Sequence, residues 1–184
     1  MHADYSGDMA VVWGMNFKVA DADACCAACQ AHSRVCGEPG SAGRDFFPGA
    51  PHPCGHEHEK ACNMWVYCDG GGAATDHRCF SYDIHNHTHG ECWLKRQNAD
   101  LERPTTGDVG EYPAELRAAK REIWPWAVEK QIWPWDMPQF VHWTSGVLLP
   151  AGARVTPREP VNFNRWCAKH GPCAGWTFSE PAPP

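Results

Sequence analysis

Positive charge is in short supply in this chain. Its 16 Lys and Arg stand against 22 Asp and Glu, a formal net charge of −6. Neutralising phosphates needs clustered Lys and Arg, so nucleic acid is excluded as a partner. Long apolar runs are missing too. No stretch approaches the ~20 residues that span a bilayer, and no membrane span is expected. Residues 1–14, MHADYSGDMAVVWG, do not join a basic start to an uninterrupted apolar stretch, as a secretory leader does. The expectation is a chain that begins after processing or belongs to a longer one. Catalytic signatures are absent as well: there is no G-x-S-x-G, no H-E-x-x-H and no phosphate-cradling glycine loop. Asp and Glu are scattered. An enzyme is not expected, and no cofactor is implied. Zinc sites usually bring paired C-x2-C units, and Cys26-x2-Cys29 has no second such pair after it.

What is present is unusual. The 184 residues include 11 Cys, 10 Trp, 11 His, 16 Pro and 17 Gly. The length admits one domain of roughly 130–150 residues with an extension. Ten of the cysteines suffice for five bridges, a density that a reducing cytosol rarely supports. An extracellular home follows, whether secreted, cell-surface or wall. Structural zinc is the rival reading of the thiols.

Along the chain, Val11, Val12 and Trp13 suggest a first strand closed by Gly14. Residues 21–33 read as a helix, because Asp21 or Asp23 can cap its free N–H groups and four alanines propagate it. Residues 34–61 form a Gly-, Pro- and His-rich loop between Cys36 and Cys54. CNMWVYC (62–68) alternates as a strand does, Met64, Val66 and Cys68 against Asn63, Trp65 and Tyr67. Residues 79–84 and 92–94 read as two more strands. Residues 97–122 are polar, with a short helix expected over 113–121. EIWPWAVEK (122–130) and QIWPWDMPQ (131–139) then repeat with a period of nine, too few copies for a solenoid. FVHWTSGVL (140–148) has the composition of a final strand. After Pro150 the chain reads as loop, with Cys167 and Cys173 close together and a Pro-rich tail, SEPAPP.

Three features taken together carry a resemblance: a helix bearing Cys25-x3-Cys29, a strand opening Cys62-Asn-Met-Trp65, and a strand reading Cys92-Trp93-Leu94-Lys95. With an opening Asp4-Tyr5-Ser6-Gly7-Asp8 and a closing Trp143-Thr144-Ser145-Gly146, the chain resembles the PAN/apple family of plasminogen-N-terminal-like modules over residues 1–148. Two departures point to a simpler, algal- or protist-like variant of that core. The insert between Cys29 and Cys62 has 32 residues, and no cysteine before Cys25 is available to join the domain's two ends. The resemblance implies an α+β fold, a disulfide-rich twisted antiparallel sheet with one helix packed across it. It implies the nested pairs Cys25–Cys92 and Cys29–Cys62. Positions i and i+4 share a helix face, so the two helical thiols are able to meet neighbouring strands. Local pairs are expected at Cys36–Cys54, Cys68–Cys79 and Cys167–Cys173. Cys26 is left over as a free thiol, a displacer of one of these pairs, or a bridge to another chain; sequence does not settle connectivity. Residues 149–184 are expected as an irregular extension with a small disulfide loop.

Candidate sites follow from residue chemistry. Asn86-His87-Thr88 is an N-glycosylation sequon in a secreted context. His85, His87 and His89 are weak metal candidates, with His52, His56, His58 and His77 as helpers from other loops. Two residues apart on a strand is about 6.5–7 Å, so only a bent loop gathers all three; solvated loop histidines are the plainer reading. Trp124, Trp126, Trp133, Trp135 and Trp143 crowd into 20 residues. They serve either as a lid on the domain or as an interface for a neighbour or a sugar. Pro181, Pro183 and Pro184 resemble wall-protein sites of hydroxylation and O-glycosylation; a plain polar tail is the alternative.

The functional expectation is an extracellular glycoprotein module that recognises proteins or carbohydrates. Adhesion or assembly of a surface filament or matrix would be its setting. Expected partners are other protein subunits, including copies of itself in an oligomer or filament, or glycans. A monomeric lectin-like domain and a metal-binding domain using the His-rich loops are the alternatives.

Overall fold

The computed structural model describes residues 2–37, 54, 61–81, 85–98, 100–120 and 133–170, with Phe163 described by its backbone alone. The fold is α+β. Its main sheet has four antiparallel strands in the order β2-β4-β3-β6: β2 is Met9–Val12, β3 Met64–Cys68, β4 Cys92–Arg96 and β6 Trp143–Val147. A ribbon of β1 (Ala3–Tyr5) and β5 (Thr106–Val109) lies beside it. Three helices complete the described fold: α1 (Ala22–Cys36), α2 (Ala114–Ala118) and α3 (Val161–His170).

Helix α1 starts where Asp21 accepts the Ala24 N–H at 2.7 Å, satisfying a donor that the first turn leaves open. Its buried residues, Cys25, Cys29, His32 and Cys36, recur every three or four positions and form one stripe. That stripe meets Trp65 and Tyr67 of β3 and Cys92 and Leu94 of β4. Cys25 is bonded to Cys92 and Cys29 to Cys62, with Cα separations of 5.6 and 5.3 Å. Cys36–Cys54 and Cys68–Cys79 are bonded as well. Cys167 is disulfide-bonded, and its expected partner Cys173 lies outside the described residues.

The other face of the sheet packs a second core. Met64, Val66 and Cys68 of β3 and Trp143 of β6 meet Tyr5, Phe80, Tyr112, Leu116 and Trp133. All five residues of β3 are therefore buried, and its alternation sorts two apolar sets between two layers. Strand β1 crosses this second face, where Ser145 donates to Ala3 O at 2.6 Å and accepts the Tyr5 N–H at 3.1 Å.

Several local expectations are corrected. The first strand ends at Val12, and a three-residue strand, β1, precedes it. Residues 79–81 form no strand. Cys79 is tied to Cys68, and a single bridge, Arg78 with Thr88, joins the segment to its neighbour; residues 82–84 lie outside the described residues. The polar stretch 97–122 contains β5, whose Thr106, Gly107 and Asp108 are buried by β1 and α3. The region after Pro150 contains α3. Two asparagines, poor helix formers, mask it in the sequence, but Trp166 anchors it in the second core and Asn162 donates to Asp108.

Candidate functional site

Strand β4 sends Cys92 and Leu94 to the helix layer, so Trp93 and Lys95 must project from the opposite face. There they floor a groove of about 450 Å³. Val66 and Trp143 extend the floor from β3 and β6, and Met9 and Ala10 of β2 form one side. The segment leading into β2 contributes Asp4, Ser6 and Asp8 to the rim; the turn after it contributes Trp13. Ser81, His85 and His87 close the far end.

A glycine lets Trp13 and Trp93 meet. Gly14 is buried, and a Cβ there would run into the Trp93 ring, so only glycine lets the turn approach the indole. The two rings then sit 5.3 Å apart at 53°, an aromatic corner with Trp13 55% exposed. At Gly7 the φ of +62° turns the rim back over β4, where a Cβ would lie 2.9 Å from Arg96 O.

The far end is backed by a buried histidine–carboxylate pair. His87 Nδ1 and Glu91 Oε2 are 2.7 Å apart, each side chain 3% exposed. Glu91 also accepts the Thr88 N–H at 2.9 Å and the Trp93 indole N–H at 3.3 Å. Burial alone would raise its pKa. The hydrogen bond from His87, with those from Thr88 and Trp93 and the His87 charge, outweighs burial and holds the carboxyl below its usual range. The His87 ring packs edge-on against Trp93 and Trp143, at 5.6 and 5.2 Å. Trp143 is pinned in turn by its indole N–H donating to Phe80 O at 2.8 Å. The floor is thus rigid, and its polar atoms are already partnered.

The rim is polar. Lys95 donates to Tyr5 O at 2.8 Å and stands 3.7 Å from Asp4. Asp8 accepts the Asn98 N–H at 2.7 Å and has no cation beside it among the described residues. Indole faces with carboxylates and hydroxyls at their edge are suited to ligands having apolar C–H surface and outward-pointing donors.

The candidate residues from the sequence separate. Trp143 reaches the groove floor. Trp133 is 2% exposed and packs edge-on to Phe80, so it belongs to the core and offers no interface. Trp135 packs on Trp133 with Arg78 over its ring, which makes the second Trp-Pro-Trp copy a lid. Trp124 and Trp126 of the first copy lie outside the described residues. His85 and His87 both line the groove, but His87 is engaged by Glu91, and His89 turns away to Asp69 O at 2.9 Å. Among the described residues no group of three or more His, Cys, Asp and Glu is placed to hold a metal ion; His77 is exposed, and His52, His56 and His58 lie outside them, as do Pro181, Pro183 and Pro184. Asn86 is exposed, with its side-chain oxygen accepting from Arg78. Cys26 is half-buried and free. Sequence reasoning passed over Asp4, Asp8, Trp13, Trp93 and Lys95 as site residues. The signal was there in the alternation of CWLK and in the glycine of DYSGD.

The sequence profile of the PAN domain matches residues 3–36, 54–95 and 164–184, more than half of the chain. No curated protein and no solved structure matches it.

Proposed function

This chain belongs to the PAN domain family, and from that premise we propose that it is an extracellular recognition module whose ligand, a protein or a carbohydrate, sits in the aromatic groove. PAN domains are commonly protein- or carbohydrate-binding modules, not catalysts. The groove with its Trp13–Trp93 corner is the observation that carries the reading. Four described disulfides and a ninth bonded cysteine, Cys167, fit an oxidising compartment. No described helix is long and apolar enough to cross a membrane.

The test is a binding screen of the oxidised protein on glycan and extracellular-protein arrays, beside its Trp13→Ala variant. Signals that vanish with Trp13 are expected; signals indifferent to Trp13 remove the groove from the reading. Adhesion or assembly into a filament or matrix is the setting we propose for this binding. It rests on the first Trp-Pro-Trp copy, since the second is taken up as a lid. Light scattering that shows mass growing with concentration is the expected result, and a strict monomer at high concentration refutes assembly.

A further inference from the structure

Resting on the groove as the binding site, we infer that its preferred occupant is a basic side chain, arginine above lysine, presented by a partner protein.

The rim supplies the charge. Two carboxylates, Asp4 and Asp8, stand at the groove, and the ammonium of Lys95 there is already engaged by Tyr5 O and Asp4. Asp8 is exposed, holds only the Asn98 N–H among the described residues, and has a carboxylate oxygen to offer a ligand. The whole chain has a net charge of −6, which favours approach of a cationic partner.

The aromatic corner supplies the shape. Trp13 and Trp93 present two indole faces inclined at 53°, with centroids 5.3 Å apart. A guanidinium stacks on such a face and is attracted by its ring quadrupole, while its alkyl stem covers apolar surface. The side of the groove contributes that surface through Met9 and Ala10. Guanidinium is weakly hydrated and planar, so it suits a stacked site with a carboxylate at the edge better than an ammonium does. A neutral sugar would leave the Asp8 charge unanswered, which is why the cation is favoured.

The experiment uses the oxidised full chain labelled with ¹⁵N in its indoles. N-acetyl-arginine amide, its lysine counterpart, the uncharged N-acetyl-norleucine amide and methyl glucosaminide are titrated separately. The Trp13 and Trp93 Nε1 signals are expected to shift with the arginine derivative, less with the lysine one, and not with norleucine. Asp8→Asn keeps an acceptor for the Asn98 N–H and is expected to weaken arginine binding about fivefold. Trp13→Ala, at an exposed position, is expected to weaken it about threefold. Binding is expected to fall as salt rises. Equal shifts with norleucine overturn the inference, as does an Asp8→Asn variant that binds unchanged or an absence of shifts with every probe. Shifts with the glucosaminide alone assign the groove to a cationic sugar; that outcome overturns the side-chain assignment and leaves the groove standing as the binding site.

Discussion

Opening the Cys25–Cys92 bridge is the most direct test of how this fold is held. The bridge spans 67 residues, against 11 for Cys68–Cys79. In the loop-closure account, these correspond to about 4.4 and about 2.8 kcal/mol at 25 °C. The Cys29–Cys62 and Cys68–Cys79 bridges, both nested inside it, already close 33 and 11 residues of the outer loop. About 23 are left, and the outer contribution falls to about 3.4 kcal/mol. Both alanine pairs remove well-buried sulfurs, since Cys25, Cys68 and Cys92 are 0% and Cys79 3% exposed, so the cavity cost is similar and largely cancels in the comparison. The perturbation is Cys25→Ala with Cys92→Ala, compared with Cys68→Ala plus Cys79→Ala. Both are made in a Cys26→Ala background, because the neighbouring free thiol would otherwise exchange. Urea unfolding at neutral pH gives the midpoint and slope of each. The helix-to-sheet variant is expected to lose about 0.6 kcal/mol more than the loop variant. Its urea slope should also rise, because its unfolded chain expands further. With total stabilities typically about 5–15 kcal/mol, either loss is a large fraction. A larger loss from Cys68–Cys79 would refute the argument, since it would mean that local packing, not closure of the helix onto the sheet, dominates.

Other predictions concern the site and its supports. His87→Ala strands Glu91, 2% exposed, without its main partner. A cost of about 3–5 kcal/mol is expected in thermal or urea melts, with His87→Gln retaining part of the stability by keeping a donor. Gly14→Ala should displace Trp93 and abolish ligand-dependent indole shifts while leaving far-UV circular dichroism unchanged. Burial, with the nearby His2, lowers the His142 pKa from 6.5 to about 4, although Asp69 opposes the shift. The unfolded chain therefore takes up that proton first. The His142 contribution is complete above pH 6.5 and is lost as pH falls towards 4; Glu91, also lowered, adds a further loss below its ordinary carboxyl range. Melting temperature followed from pH 7.5 to 4 should fall, and His142→Phe should flatten the upper part of the curve. The sequon at exposed Asn86 predicts an N-glycan there. Secretion from eukaryotic cells should yield a mass that drops on amidase digestion and is missing in Asn86→Gln; equal masses would remove the glycan.

The elements that the sequence made legible are those whose patterns are local. Helix α1 announced itself through Asp21 and its alanines, β3 through alternation after Cys62, and β4 and β6 through the short apolar runs at Cys92 and around Trp143. Strands β1 and β5 escaped because three or four residues such as Thr-Gly-Asp-Val have no period of their own. They exist because they pair with each other over the second face of the sheet. Helix α3 escaped for a similar reason: Trp166, a deeply buried anchor among its described side chains, has meaning only against the core that receives it.

The groove divides along the same line. Composition and local patterning by themselves determined the thiol-bearing helix and the absence of a charge pattern for nucleic acid, and the resemblance to the PAN family implied the α+β class. Only the tertiary structure decided which tryptophans are walls and which are filling. Trp133 and Trp143 look alike in the sequence and both pack in the second core, yet of the two Trp143 alone also reaches the groove. Trp13, which the sequence suggests only as part of a strand, becomes half of its aromatic corner. Burial is a property of what packs against a side chain, and for these rings the packing partners are separated by tens of residues along the chain.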